Sequence, residues 1–264
     1  MNRIQPRKPP TTPGTAAKKS SSSTESPVVT AGIYSRPATD ESSFALFTPL
    51  HYERNYAYPL IVWLHGPDEN ENQLKRIMPL VSLRNYAAIA PRGTAGGETE
   101  AAAFGWSQSE EHIELAQQRV LDCLAAARQR FNVAPGRVFI VGHECGGTMA
   151  LRLALREPHR FAGVLSLGGR FPSGHAPLAR LDAARRLSIF IAANRASQRY
   201  PTEAVCDDLR LVHSAGMSIT LREYPGPDGL RPQVLADMDR WLMDQITGGV
   251  AASAPSESPQ PRSR

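Results

Sequence analysis

The sequence predicts an α/β fold in which a mostly parallel sheet carries helices on both faces. Short, mainly apolar segments alternate along the chain with longer segments whose apolar residues recur at helical spacing. Several of the apolar segments end at proline or glycine, which marks turns between elements. Such alternation builds strand–helix–strand units, and these units form a parallel sheet that helices cover on both sides.

Strands are predicted at the apolar runs, because a strand that is buried on both faces shows no regular polar alternation. These runs lie at residues 60–64, 87–90, 138–141, 164–167 and 189–192. Residues 219–224 alternate between apolar and polar, which indicates a strand nearer the sheet edge, and residues 44–48 predict an antiparallel first strand. Helical spacing predicts helices over residues 114–131, 148–157, 204–215 and 233–246.

The chain divides into one folded domain, residues 31–247, and two polar tails, residues 1–30 and 248–264. Both tails lack the large apolar side chains that a core needs, so we expect them to be disordered. The net charge of +5 lies in the tails, +4 in the first and +1 in the second, which leaves the domain neutral. We therefore expect no nucleic-acid partner for the folded domain. A scaffold that binds partners through its basic first tail is an open alternative.

The apolar runs and the cysteines of the sequence indicate the cellular location of the protein. No apolar run is long enough to cross a bilayer, and the first tail lacks the apolar stretch of a secretory signal, although a transit peptide is an alternative there. Cys123, Cys145 and Cys206 show neither CxxC nor metal-ligand spacing, which indicates reduced thiols. We expect a soluble cytoplasmic protein.

The most informative segment joins the strand at residues 138–141 to the helix at residues 148–157. It reads Gly-His-Glu-Cys-Gly at residues 142–146. A buried strand that passes through such a turn directly into a helix is typical of a nucleophile elbow, which raises its central side chain above the sheet. Gly142 and Gly146 suit this turn because the strand and helix backbones nearly touch there. Glu144 is the central residue.

Together with other motifs, this turn resembles the phospholipase/carboxylesterase family of α/β hydrolases. The motifs are Pro-Leu-Ile-Val-Trp-Leu-His-Gly at residues 59–66, Ala-Pro-Arg-Gly at 90–93, Phe-Asn-Val-Ala-Pro-Gly-Arg-Val at 131–138 and Arg-Phe-Ala-Gly-Val at 160–164. The similarity extends over residues 44 to 246. The resemblance implies an α/β-hydrolase fold and an esterase, lysophospholipase or thioesterase that acts on acyl esters without a cofactor.

The same resemblance implies that all three catalytic positions are substituted. Glu144 stands where the family has its serine, Ser197 where it has its acid, and Asp228 where it has its histidine. No histidine follows His213, which lies in a predicted helix, so we expect no imidazole within bonding reach of Glu144. Two carboxylates and a hydroxyl cannot move a proton as the Ser-His-Asp triad does.

The binding positions that the resemblance implies are Gly66, Pro67, Cys145 and Trp106. An oxyanion hole would use the backbone N–H of Cys145 and one from the loop after Gly66, but Pro67 has no N–H. Trp106 either lines a remaining groove or packs within its loop. His65 and His143 are expected to pack.

These substitutions predict a catalytically inactive family member that binds a small apolar ligand or a protein. The alternative is an acyl-ester hydrolase whose nucleophile is Glu144, which would need a histidine to activate water, or Cys145, whose thiol lies at a helix N-terminus. Glu144 and Asp228 could instead lie close and invite a cation, with His143 nearby. A simpler interpretation pairs Glu144 with Arg195 or with water.

Overall fold

The structure is a computed structural model that describes residues 33–35, 43–95 and 104–251. Residues 1–30, and residues 252–264 of the second tail, lie outside this description, so the predicted disorder concerns residues that are not described. The last helix continues through Ala251, four residues past the predicted end of the domain at residue 247.

Among the described residues, eight strands form the main sheet, and two short ones form a separate ribbon. The main strands are β1 (Ile33–Ser35), β2 (Phe44–Phe47), β3 (Tyr58–Leu64), β4 (Ala87–Pro91), β7 (Val133–His143), β8 (Gly163–Leu167), β9 (Ser188–Asn194) and β10 (Ile219–Tyr224). The ribbon pairs β5 (Thr94–Ala95) with β6 (Phe104–Gly105).

The order of the main sheet is β1-β2-β4-β3-β7-β8-β9-β10. β1 and β2 are antiparallel, and so are β2 and β4. All the other pairs are parallel. The mostly parallel sheet and the antiparallel lead-in strand are therefore confirmed. The ends of β7, β9 and β10 come to one edge of the sheet, where open α/β sheets place their sites.

Helices connect the strands. They are α1 (Gln73–Val81), α2 (Glu110–Arg130), α3 (Cys145–Arg156), α4 (Leu181–Ala184), α5 (Thr202–Ser214) and α6 (Pro232–Ala251), with a short 3-10 helix at Pro158–Arg160. None of the helices among the described residues is long and apolar enough to cross a membrane.

The core has two halves, one on each face of the sheet. Along β3, Leu60, Val62 and Leu64 face the half that α2, α3 and α5 cover. Ile61 and Trp63 face the other half, which α1 and α6 cover. Every residue of β3 is buried. This two-sided burial explains the continuous apolar run in the sequence.

Several elements differ from their prediction. β1, β5, β6 and α4 were not predicted, and α2 and β7 begin four and five residues before their predicted starts. α1 was not predicted, and it contains Pro79. Its buried residues Leu74, Ile77, Met78 and Val81 nevertheless recur at helical spacing. α3 begins at Cys145 rather than near Thr148, because the helix starts directly after the turn at Glu144.

Candidate functional site

The turn between β7 and α3 has a strained backbone centred on Glu144. Its φ is 47° and its ψ is −112°, in a region that non-glycine residues rarely occupy. The Glu144 N–H donates to the Leu167 carbonyl at 2.9 Å, and its own carbonyl accepts from the Thr148 N–H at 3.0 Å. These bonds hold a conformation that costs about 1–3 kcal/mol by itself. The sharp turn predicted from the sequence is present, with Glu144 at its centre.

Glycines make this turn possible. A side chain on Gly142 would collide with the backbone of Gly146, and one on Gly146 would collide with the carbonyls of Leu64 and His65. Gly169, which the sequence analysis did not name, lies against the Glu144 carbonyl in the same way, and a Cβ there would lie 2.6 Å from the Thr148 nitrogen. The elbow is thus packed between β7, β3 and the loop after β8, with no room for a methyl group at these positions.

The Glu144 carboxylate forms an ion pair with Arg199, through Oε2 and Nη1. The Glu144 side chain is 11% exposed, whereas that of Arg199 is 58% exposed. Of the pairing of Glu144 with Arg195 or with water that the sequence left open, the pairing with Arg195 is wrong. Arg195 instead pairs with Glu223 at 2.8 Å, because it follows β9 directly and lies beside β10.

A histidine ring lies next to Glu144. The His143 Nε2 atom is 3.4 Å from Glu144 Oε1. The expectation of no imidazole within reach is therefore wrong: the residue before the apex supplies one. The separation exceeds the 2.7–3.2 Å of a usual N–H···O hydrogen bond. Burial lowers the pKa of His143 from 6.5 to about 4, with Glu69 and Asp228 opposing and Arg199 reinforcing the shift, so the ring is neutral at pH 7.

The other two positions that the resemblance assigns to the triad differ in their relation to the elbow. Asp228 interacts electrostatically with His143. Its Oδ1 atom is buried and has no hydrogen-bond partner among the described residues. Ser197 is a buried residue, and its hydroxyl accepts from the Tyr200 N–H at 2.8 Å and thereby closes a local turn. Glu144 and Asp228 thus both interact with His143, whereas Ser197 has a local structural contact.

The loop after β3 offers little to an oxyanion. Pro67 follows Gly66 and has no N–H. The Gly66 N–H already donates to Gln73 Oε1 at 3.2 Å, and the same amide oxygen accepts from the Trp63 indole at 2.8 Å. The His143 ring also lies directly over Gly66. Of the two donors that the family resemblance implies, the Cys145 N–H at the start of α3 is the one the sequence retains.

The Cys145 thiol is not activated. Burial raises its pKa above the usual value, and the negative charge of Glu144 adds to this. The sequence analysis considered a lowered pKa at the helix N-terminus. The structure contradicts this, because desolvation of the thiolate outweighs the backbone hydrogen bonds that would favour it.

Trp106 and His65 form a packed pair beneath the site. Trp106 is 4% exposed, and its indole donates to the His65 carbonyl at 3.0 Å. The His65 ring is fully buried; its Nε2 atom accepts from the Gly93 N–H at 2.9 Å, and its Nδ1 atom lies 2.8 Å from the Gly66 carbonyl. Burial lowers the pKa of His65, which favours the neutral ring that these contacts need. Packing, rather than lining of an open groove, describes both residues.

A buried ion pair braces the two loops next to the site. Glu71 is 1% exposed and accepts from Arg92 at 2.7 and 2.8 Å, and from the Ser43 hydroxyl at 3.0 Å. These bonds hold the pKa of Glu71 below its usual value against the opposing effect of burial. The brace joins the loop after β3, the loop after β4 and the start of β2. The sequence analysis did not identify it.

Across the described residues, no group of three or more His, Cys, Asp or Glu side chains is arranged to hold a metal ion. His143, Glu144 and Asp228 interact electrostatically but do not form such a group.

The strand order, the glycine-packed elbow and the site at the carboxyl ends of the strands define an α/β hydrolase of the esterase type. A family model described as "Putative esterase" matches residues 35–221, and the chain belongs to this family. The resemblance drawn from the sequence motifs is thereby confirmed at the level of esterase-type α/β hydrolases.

Two curated relatives match about half of the chain. A protein named "Putative esterase NocK", from Nocardia uniformis subsp. tsuyamanensis, is 36% identical over 141 residues, which are 50% of this chain and 39% of that protein. "Epoxide hydrolase 2" from Siraitia grosvenorii is 29% identical over 129 residues, 49% of this chain and 38% of that protein. The chain therefore matches well under half the length of these relatives.

Solved structures agree on the fold. A ferulic acid esterase superposes with a TM-score of 0.65 at 13% identity, over 81% of this chain and 98% of that one. The Bacillus cereus carboxylesterase gives a TM-score of 0.61 at 16% identity, over 76% and 93% of the two chains. SOBER1 of Arabidopsis thaliana gives 0.60 at 19%, over 72% and 100%. At these identities the likeness concerns the fold.

Proposed function

We propose that this chain is a catalytically inactive member of the esterase family, whose elbow site binds a ligand without hydrolysing it. One observation carries the proposal: the centre of the elbow bears the carboxylate of Glu144, which Arg199 neutralises. A carboxylate held by a guanidinium is a poor nucleophile, and no hydroxyl stands at the apex.

Three further contacts support inactivity. The neutral His143 ring, with a pKa of about 4, is a weak base at pH 7. Within the part of the chain that the structure describes, its Nδ1 atom has no hydrogen-bond partner, so no carboxylate there orients the ring through that nitrogen as in a triad. The Cys145 thiol has a raised pKa and stays protonated at neutral pH. His143 is therefore a poor general base and Cys145 a poor nucleophile, and ester turnover needs both functions.

A second candidate is hydrolysis through Glu144 as a covalent nucleophile. It is favoured by the 3.4 Å separation of His143 Nε2 and Glu144 Oε1, because a nearby imidazole could activate water against an ester intermediate. Similarity to a protein named epoxide hydrolase 2 is compatible with such chemistry. The lowered pKa of His143 and the pairing with Arg199 are the arguments against it.

The location and the partner stay predictions. Cys123, Cys145 and Cys206 are free thiols, which supports a reducing compartment such as the cytoplasm. The binding role leaves room for a small ligand or a protein.

A steady-state assay with p-nitrophenyl acetate and butyrate tests the proposal. We expect the wild-type protein to hydrolyse both esters no faster than Glu144→Gln and Cys145→Ala, with all three rates at the background of any folded protein. A wild-type rate that one of these substitutions removes would overturn inactivity. Loss in Glu144→Gln and in His143→Asn would establish the second candidate, and loss in Cys145→Ala alone would assign a thiol nucleophile.

A further inference from the structure

We infer that the elbow site binds an organic cation of the guanidinium or amidinium class, and that Arg199 occupies this cation position as a tethered competitor. The inference deepens the proposed function and rests on it, because it requires that Glu144 serves as a binding group.

The contact between Arg199 and Glu144 is asymmetric. The carboxylate is part of the packed elbow, with its backbone fixed by bonds to Leu167 and Thr148. The guanidinium reaches it from the loop after β9 and keeps more than half of its side chain in solvent. The exposed guanidinium is hydrated when it leaves, whereas the nearly buried carboxylate is costly without a cationic partner, so only another cation can take the place of Arg199. The site is therefore built around the carboxylate, and the guanidinium is its replaceable occupant.

A second carboxylate in the site has an unbonded oxygen. Among the described residues, Asp228 Oδ1 is buried and has no hydrogen-bond partner, and Asp228 acts electrostatically on His143, the neighbour of Glu144. Buried polar atoms are rarely left unbonded, because each costs free energy. A carboxylate oxygen can only accept, so the partner that suits Asp228 is a hydrogen-bond donor.

The local charge selects a cation. Glu144 and Asp228 contribute two carboxylates, against the single guanidinium of Arg199 and a neutral His143. Glu69 also acts on His143, and it is paired with Arg76 at 2.5 Å. Once Arg199 is displaced, Glu144 presents a carboxylate to the ligand, which disfavours an anionic ligand.

Geometry favours a planar cation with several N–H groups. A guanidinium or amidinium presents parallel donors that match a carboxylate, which a single ammonium does not. Arg199 demonstrates that such a group reaches Glu144. We expect a free ligand in this position to donate to Asp228 Oδ1 as well.

Calorimetric titration of the full-length protein with benzamidine tests this inference, with the uncharged isostere benzamide as the ligand control. If Arg199 competes for the site, Arg199→Gln binds benzamidine at least about tenfold more tightly than the wild type, because the competent fraction rises. Adding Glu144→Gln or Asp228→Asn to Arg199→Gln weakens that binding. Arg195→Gln, which breaks only the pair with Glu223, leaves the wild-type affinity unchanged.

Equal or weaker binding of benzamidine by Arg199→Gln would overturn the inference, and so would equal binding of benzamide. Circular dichroism and thermal melts establish that each variant is folded, and Asp228→Asn carries the test if Glu144→Gln does not fold. Ester hydrolysis is a separate readout. Turnover by the wild type would contradict the proposed function. A benzamidine affinity that does not change in the Arg199 and Glu144 variants would contradict only the cation site.

Discussion

Arg199 and Glu144 form an ion pair that joins the loop after β9 to the turn between β7 and α3. The pair places a positive side chain directly at the centre of the elbow, the position from which esterases of this fold present their nucleophile. The positive charge of Arg199 also explains why the Glu144 carboxylate can be nearly buried. The site is consequently neutralised from within the chain.

The elbow glycines are expected to be intolerant of even a methyl group. Gly142→Ala and Gly146→Ala each force a Cβ against fixed backbone, so we predict a loss of about 2–4 kcal/mol in the free energy of unfolding, measured by urea denaturation. Gly105→Ala is the matched control, because a Cβ there meets no atom within 4 Å. Wild-type stability in Gly142→Ala would show that the strand and helix do not approach as described.

Stability should depend on pH through His143. The folded pKa, about 4, lies below the unfolded value of 6.5, so the unfolded chain binds the proton more readily. The stabilising effect of the neutral ring is fully present above pH 6.5 and is lost as the pH falls from 6.5 towards 4. Over that range the wild type should lose about 3 kcal/mol relative to His143→Asn.

Denaturation curves at pH 7, 5.5 and 4.5 measure this difference. His51→Asn is the control, because His51 is exposed on a turn and its variant should follow the wild type. Parallel pH profiles for the wild type and His143→Asn would mean that the ring is solvated and able to act as a base, which would favour the second candidate.

The three thiols should react at distinct rates. Cys206 is exposed, Cys145 is partly buried with a raised pKa, and Cys123 is buried with its pKa raised further by burial. At pH 7.5 we predict that iodoacetamide alkylates Cys206 at least about tenfold faster than Cys145, because only the thiolate reacts. Peptide mapping by mass spectrometry at timed intervals follows each site, with Cys206→Ser as the control. Equal alkylation rates at Cys145 and Cys206 would contradict the raised pKa of Cys145 and would support Cys145 as a nucleophile.

The oxyanion loop should limit any restored enzyme. The triple substitution Glu144→Ser, Ser197→Asp and Asp228→His rebuilds the triad residue types, yet Pro67 still lacks an N–H. We predict that adding Pro67→Leu to the triple variant raises kcat for p-nitrophenyl acetate by about 100-fold, the usual effect of one oxyanion donor. The wild type with Pro67→Leu alone is the control and should remain inactive. No gain from Pro67→Leu in the triple variant would show that position 67 does not face the reacting carbonyl.

The sequence was sufficient for the fold because local and global patterns agree. The apolar run at residues 60–64 lies in β3, where both faces are buried, and residues 219–224 match β10 in full. α1 was not predicted because Pro79 lies inside it and cannot donate an intrahelical hydrogen bond; the helix is held by the packing of Leu74, Ile77, Met78 and Val81.

Side-chain partners in the site could be predicted less well. The need for residues without a side chain at Gly142 and Gly146 follows from the close approach of the strand and helix backbones, and the structure confirms it. The pairing of Glu144 with Arg199, rather than with Arg195, depends on how the loop after β9 folds, and no periodicity encodes that. His143 was expected only to pack, because the family carries its histidine at the position of Asp228. His143 is instead the residue directly before Glu144 in the sequence, and its ring lies next to the Glu144 carboxylate.

The central claim, that neither Glu144 nor Cys145 forms a covalent bond to an acyl group, is tested most directly by intact-protein mass spectrometry. The wild-type protein is mixed with excess p-nitrophenyl acetate, quenched in acid within seconds and then mapped by peptide. The account predicts an unmodified peptide across residues 138–156. An acetyl group on that peptide, at Glu144 or Cys145, absent from the corresponding Glu144→Gln or Cys145→Ala variant, would contradict it.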